Sequence, residues 1–386
     1  MARGDRVGQG ASSNDQKKGS APHPPIAFFI PGLNGGGAQR VFVTLVNTLV
    51  GMTQHPIHLV TSREGGAFES LVDERVVRVV LGQKRVSLSI LPLARYIRTE
   101  RPAAMVSTLN YCNVVFLLAA GLARVPLRKV VRDANVIPDE FHSLREKLKA
   151  VTLRLMMRLF YRRADDVIII AKDIEGYLVR HHIAPISHMR RIPNPVIVDR
   201  VAACSPTSRP PEERFIVAIG RLSHQKGFDV LIRAFANLAD RELRLAILGE
   251  GPLKKTLKDS ALECHVAERV LFPGFVPNTA DYLRAASLFV LPSRWEGFSN
   301  VLVEALAVGT PIVASDCPGS PREVLDGGRL GRLVPVGDPW ALSEAITREL
   351  DRPSATPDAR RQSALQYNPE KIAAQYLRIL TGAESG

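Results

Sequence analysis

Residues 291–315 read LPSRWEGFSNVLVEALAVGTPIVAS. An apolar run from Leu288 ends at Leu291, a loop from Pro292 to Phe298 follows, a helical pattern opens near Asn300, and a second apolar run spans Pro311 to Ala314. Strand, helix and strand in that order make a parallel βαβ unit with a right-handed crossover. Ser299 stands where a helix N-cap is expected. The stretch holds only two carboxylates, Glu296 on the loop and Glu304 about one turn inside the helix, both toward the same sheet edge. An unpaired buried carboxylate is costly, so a purely structural role requires nearby cations such as Arg294 and Arg322. Otherwise the two acids grip different groups of one extended ligand, with the helix N-terminus between them facing an anion.

The same alternation runs through the chain. Further strands are expected at Ile26–Ile30, Ile57–Thr61, Val76–Leu81, Ala104–Thr108, Lys129–Arg132, Val167–Ala171 and Met189–Ile192. The second half adds Phe215–Ile219, Arg244–Leu248, Val270–Phe272 and Leu330–Val334. Helix-length segments separate most of them, so each half reads as an α/β, doubly wound parallel sheet. A length of 386 residues suits two domains of about 150 to 200 residues. Pro193 and Pro195 flank Asn194 and stop any helix or central strand, which places the hinge there. The expected organisation is a disordered basic tail over 1–25, a first domain over 26–195, a second over 196–368, and a terminal helix over 369–386 that packs back on the first domain.

Hydrophobic residues at 46% and charged residues at 23% belong to a globular chain. The longest nearly apolar run, Val114 to Ala123, is about half of what a membrane-spanning helix needs. Residues 1–25 lack the apolar stretch of a signal peptide, and four scattered cysteines, Cys112, Cys204, Cys264 and Cys317, form neither a zinc pattern nor a disulfide framework. A reducing cytoplasm is expected. The net charge of +13 is uneven: residues up to Pro195 hold 28 Lys and Arg against 15 Asp and Glu, and the remainder is balanced at 23 against 23. An anionic partner of the first half follows from that asymmetry.

Two further stretches bear on chemistry. PGLNGGGAQRV, Pro31 to Val41, puts Gly35, Gly36 and Gly37 between a strand and a helix, where backbone approaches a ligand closely and free N–H groups meet an anion; it is also readable as an ordinary glycine-rich turn. In AIGRLSHQKGFDVLIRAF, Ala218 to Phe235, the cations Arg221 and Lys226 share one loop at the carboxyl edge of the sheet. They either converge on a diphosphate or are two solvated charges.

In this order and spacing the motifs resemble the retaining glycosyltransferases of family 4, the group 1 glycosyltransferases. The resemblance runs from about residue 25 to 380 and is carried by GRLSHQKGFDVLIRAF, LAILGEGPLKKTL, LFPGFVPN and SRWEGFSNVLVEALAVGTPIVASDCPG, with the acid pair of that family matched by Glu296 and Glu304. It implies two Rossmann-like domains facing a cleft, the GT-B architecture, with a nucleotide sugar bound by the second domain and an acceptor by the first. Arg221 and Lys226 would hold and stabilise the leaving diphosphate, Glu296 would lie against the transferred sugar, and Glu304 would take the ribose hydroxyls. Main-chain groups of Gly297, Phe298 and Ser299 would approach sugar and phosphates, the loop around Phe275 and Val276 would meet the base, and Gly35–Gly37 would face them from the other domain. Uridine is the commoner base in such relatives.

The sequence departs from the family at Gln39, where many members carry Glu, and in VVRDANVIPDEF, where the His of some relatives has no counterpart and Arg132 and Asn135 stand on the acceptor side. His142 reads as the opening of the next helix. There is no Asp-x-Asp, the motif common where Mg²⁺ neutralises the diphosphate, so no metal or other cofactor is expected. HSLREKLKAVTLRLMMRLFYRR, His142 to Arg163, has seven Lys or Arg and one Glu, with Leu144, Leu148, Val151, Leu155 and Leu159 on one stripe. It is either a core-facing helix or one that lies on an anionic membrane. The expected function is transfer of a hexose or N-acetylhexosamine from a nucleotide sugar to a lipid-linked or polysaccharide acceptor in cell-envelope glycan synthesis, peripheral to the inner face of the cytoplasmic membrane. A catalytically degenerate partner subunit of a glycan assembly complex is the alternative. Nucleic acid is not an expected partner: aromatics are 6% and no zinc finger or helix-turn-helix is present.

Overall fold

The apolar run Ile26–Ile30 becomes β1, every residue of it buried. Its alternate side chains enter different cores: Ala27 and Phe29 join one cluster, while Ile26, Phe28 and Ile30 join another. A strand buried on both faces must be covered by helices on both, which is why it reads as a continuous apolar run. The computed structural model describes residues 23–34, 36–134, 144–197, 210–276 and 278–382.

The first sheet contains β1, β2 (Ile57–Thr61), β3 (Val77–Val80), β4 (Ala104–Thr108), β5 (Arg128–Asp133), β6 (Asp166–Ile169) and β7 (Met189–Arg191), in the order β3-β2-β1-β4-β5-β6-β7. The second contains β8 (Phe215–Ile219), β9 (Arg244–Leu248), β10 (Val270–Gly274), β11 (Leu288–Leu291), β12 (Ile312–Ser315) and β13 (Arg332–Val334), in the order β10-β9-β8-β11-β12-β13. All pairings are parallel. The two doubly wound sheets are those the sequence predicts, with strand ends moved by a residue or two. At β10 the expected strand stops before Pro273, yet the observed strand runs through it. As an edge strand, β10 has no outer neighbour to which Pro273 fails to donate.

Strand order reverses between β1 and β4 in the first sheet and between β8 and β11 in the second. Loops leaving the two strands at such a point diverge to opposite faces and leave a crevice at the carboxyl edge. Contacts between the domains join these edges: Asn194 Nδ2 donates to Asn300 Oδ1 at 2.8 Å, and Phe298 packs against cores of both domains. The last helix, Pro369–Thr381, packs its Ile372, Ala373, Tyr376 and Leu380 into the core that holds Ile26 and Phe28. Among the described residues no helix is long and apolar enough to cross a membrane.

The second domain encloses a fully buried charged knot. Glu349 and Arg360 are both fully buried and paired at 2.8 Å. Arg332 adds a second cation at 3.0 Å, Ser354 donates its amide and hydroxyl to Glu349, and Arg360 Nε donates to the Leu330 carbonyl at 2.9 Å. Every polar group of Glu349 is thus answered, and removing it would strand a buried guanidinium. Glu349→Ala is expected to destabilise the second domain by about 3–5 kcal/mol, measurable as a lowered denaturation midpoint of that domain in urea.

Candidate functional site

After β8 the chain turns through Gly220 and Arg221 to a single helical turn, His224–Lys226, and Gly227 opens the helix Phe228–Ala236. After β11 it runs through Pro292–Ser299 into the helix Asn300–Val308. These are the loops on either side of the second sheet's reversal. Gly227 has φ of 63°, and a Cβ there would stand 2.0 Å from the Pro292 carbonyl oxygen. Only glycine lets the loops come this close.

A main-chain bond from the Arg294 amide to the Gln225 carbonyl at 2.8 Å and three side-chain bridges tie them. Arg294 donates to both carboxylate oxygens of Asp229 at 2.9 and 2.7 Å and to the His224 carbonyl at 2.8 Å. Burial pushes the Asp229 carboxyl up, and the hydrogen bonds and charge of Arg294 outweigh it, holding the group below its ordinary value. Gln225 Nε2 donates to the Trp295 carbonyl at 3.0 Å. Finally Lys226 Nζ meets Glu296 Oε1 at 2.6 Å, where the side chains are 17% and 5% exposed, and Ser293 Oγ donates to the same oxygen at 2.6 Å. The stem of Lys226 lies over Gly220, where a Cβ would stand 3.1 Å from it.

The cations that the sequence offers as structural partners of the two acids pair elsewhere. Arg294 belongs to Asp229 and Arg322 to Asp316; Glu296 takes Lys226. Glu304 is 8% exposed on its helix, accepts from Thr279 Oγ1 at 2.9 Å, and lies 4.0 Å from Arg40 of the first domain. Arg221 is exposed and its side chain makes no hydrogen bond or ion pair among the described residues. Beside the pair, burial and then the charge of Glu296 push the Cys317 thiol up to about 12. Among the described residues no group of three or more His, Cys, Asp or Glu side chains is placed to hold a metal ion.

Ser299 has the extended backbone of an N-cap, but its hydroxyl caps nothing. That oxygen is buried without a hydrogen-bond partner, at the N-terminus of the helix that bears Glu304. An orphaned hydroxyl at a helix N-terminus is suited to meeting a polar ligand. Gly297 is half-buried, and the Phe298 ring stacks edge-on against Tyr367 at 5.5 Å. Phe275 is 74% exposed and free to stack on a flat ring, whereas Val276 is packed into the domain core.

From the first domain, Gly36 and Gly37 open the helix Gly37–Leu49, and a side chain at Gly37 would meet nothing within 4 Å. Gly35, Asn135 and His142 lie outside the described residues. Arg132 requires a correction. It is 1% exposed, donates to Thr108 Oγ1 at 2.9 Å and to Asn194 Oδ1, and so braces the inter-domain linker instead of presenting itself to an acceptor. Sequence reasoning misses Arg40, Thr279 and Ser293. Arg40 sits inside the quoted glycine stretch and was legible as a cation there; Thr279 and Ser293 carry no local signal.

Comparison with known proteins bears on the family and the fold. The family model described as glycosyl transferases group 1 matches residues 205–368, and that described as glycosyltransferase family 4 matches residues 35–200. The chain is 26% identical over 373 residues to the N-acetylgalactosamine-N,N'-diacetylbacillosaminyl-diphospho-undecaprenol 4-alpha-N-acetylgalactosaminyltransferase of Campylobacter jejuni, spanning 92% of this chain and 99% of that one. It is 24% identical to the amylovoran biosynthesis glycosyltransferase AmsD of Erwinia amylovora, with 92% and 99% covered. Among solved structures, HepE from Anabaena in complex with UDP and glucose superposes with a TM-score of 0.77 at 21% identity, covering 93% of this chain and all of that one. With two α/β parallel-sheet domains in the GT-B arrangement and both family models matched in sequence along it, the chain belongs to the group 1 glycosyltransferases of family 4.

Proposed function

We propose that this glycosyltransferase moves a hexose or N-acetylhexosamine from a UDP-sugar to a lipid-linked or polysaccharide acceptor, with retention of anomeric configuration and without a metal ion, in cell-envelope glycan assembly. The observation that carries the reading is the meeting of Lys226 and Glu296 at 2.6 Å, with Glu304 on the helix that follows. A half-buried cation and a buried acid from neighbouring loops, next to an orphaned hydroxyl and a helix N-terminus, suit a diphosphate and a sugar side by side. UDP and glucose bound to HepE, and the diphospho-undecaprenol named for the Campylobacter relative, support the donor base and the acceptor class.

In this reading the bond from the anomeric carbon to the diphosphate breaks as the acceptor hydroxyl attacks the same face, and its proton passes to the departing phosphate oxygen. Charge develops on that oxygen. Lys226, with Arg221 beside it, supplies the compensating positive charge where it is needed. Glu296 orients the sugar, and its hold on Lys226 keeps the ammonium aimed at the leaving group. Glu304 takes the ribose hydroxyls. These intact residues speak against a degenerate partner subunit.

The acceptor side of the proposal rests on the helix Leu144–Phe160. Its Leu148, Val151, Leu155 and Leu159 are between 50% and 66% exposed, while Ala150 and Met157 face the core. Arg145, Lys147, Lys149 and Arg158 are exposed on the same helix, and Arg162 and Arg163 follow it. An apolar stripe bordered by cations favours an anionic bilayer surface, so the enzyme would work at the inner face of the cytoplasmic membrane.

Incubation of the purified protein with a panel of nucleotide sugars is expected to release UDP from one of them; release from none contradicts the assignment. Glu304→Ala should weaken UDP binding about 10- to 100-fold by calorimetry, and Lys226→Ala should lower kcat about 100- to 1,000-fold with a smaller change in donor KM; normal turnover in both would remove the proposed site. In vesicle sedimentation at low salt, binding should require anionic lipid and fall in Leu155→Asp/Leu159→Asp. Equal binding to neutral vesicles would refute the membrane reading.

A further inference from the structure

The loop Asp316–Ser320, which follows β12, forms the backing of Glu296. The Glu296 amide donates to the Pro318 carbonyl at 2.9 Å, and the Ser299 amide donates to Ser320 Oγ at 3.0 Å. Gly319, with φ of 120°, lies so close that a Cβ there would stand 2.3 Å from the Glu296 carbonyl oxygen and 3.0 Å from that of Gly297. Any movement of the loop is therefore transmitted to residues 296–299 through main-chain contact.

The other side of this loop is held from the first domain. Asp173, the second residue of the helix Lys172–Arg180 after β6, accepts from the Gly319 amide at 2.5 Å. At the same junction Arg191, at the end of β7, lies 3.5 Å from Glu323. The Arg191 pair is solvent-exposed on both sides and contributes little. The Asp173 contact differs in kind: a carboxylate accepting from a main-chain amide is short, directional and charge-assisted. Asp173 is itself exposed, so neither burial nor packing explains its placement.

We propose that Asp173 is a positioning residue, the catch by which the first domain fixes the Asp316–Ser320 loop and, through it, Glu296. The proposal rests on the reading of Glu296 as the acid that faces the transferred sugar. When the domains part, the Asp173 bond breaks and the backing of Glu296 loosens. When they close, the bond re-forms and the acid returns to register with Lys226. Orientation of the sugar is thereby tied to closure, which limits loss of the activated sugar to water while the crevice is open.

Two measurements test this. In hydrogen–deuterium exchange of the intact protein, Asp173→Ala is expected to speed exchange of the Gly319 amide and of residues 296–299 by about tenfold or more, with the thermal midpoint unchanged. Asp173→Asn, which keeps an acceptor oxygen at the same reach, should restore most of the protection. In turnover assays Asp173→Ala should lower kcat on the order of 100-fold, as for a small misplacement near the reacting centre, leave UDP affinity within about twofold, and be rescued by Asn. Unchanged exchange in Asp173→Ala, an Asn variant as defective as Ala, or parallel loss of UDP affinity and kcat would each overturn the proposal. If the wild-type protein turned over no donor, the sugar-nucleotide reading would fall, while the exchange result would still decide whether Asp173 holds the loop.

Discussion

The backbone contact between Gly227 and Pro292 is the constraint from which the site follows. Two loops leave adjacent strands β8 and β11 in opposite senses, and ordinary side chains would keep them apart. With no Cβ at Gly227 they touch, Arg294 reaches Asp229, and Lys226 is brought against Glu296. Arg294 is thus the mechanical member of the cluster and Lys226 the electrostatic one, although both are cations within a few residues of an acid. A lysine whose stem is packed on Gly220 and whose ammonium is anchored by a carboxylate has lost most of its freedom before a ligand arrives. In the proposed reaction, preorganised charge of this sort would stabilise the departing phosphate, because no reorganisation remains to be done.

Much of this was legible from residue order alone. Most of the strands among the described residues show as short apolar runs, because strands covered on both faces leave no polar alternation to confuse the pattern; the edge strands β3 (VRVV) and β7 (MRR) are more exposed and carry cations. The acid pair and the two cations of the second domain were also legible, since glycines, charges and strand ends fall together in a few loops. Partnerships were not. Arg294 precedes Glu296 by two residues and looks its natural mate, yet successive loop residues diverge, and its guanidinium crosses to Asp229 on the neighbouring loop. Arg132 shows the same limit. A cation at the end of a strand reads as solvent-facing, yet Arg132 is buried and donates to Asn194, sixty-two positions away. Ser299 has the right residue and the right backbone for a cap, and only the three-dimensional arrangement reveals that its hydroxyl is left over.

Polar contacts between the domains come from parts of the sequence that share no motif. Arg40 follows β1, Asp173 follows β6 and Asn194 lies in the linker, yet all three touch segments within residues 300–319. The doubly wound arrangement explains the coincidence, because parallel strands deliver every following loop to the same edge. Facing carboxyl edges then bring two sets of unrelated loops together, and few additional contacts are needed to complete a junction.

The placement of the last helix alters what counts as a unit of this molecule. Pro369–Thr381 comes after the whole second sheet but fills the core beneath β1 with Ile372 and Tyr376. The polypeptide consequently passes between the two bodies twice, once near Asn194 and again before Pro369. Two tethers side by side resist twisting and sliding far more than bending about the line that joins them, so they select a single swinging motion. A fragment cut at the first tether would leave the front body with an open apolar seam, and the piece needed to seal it would be on the other half.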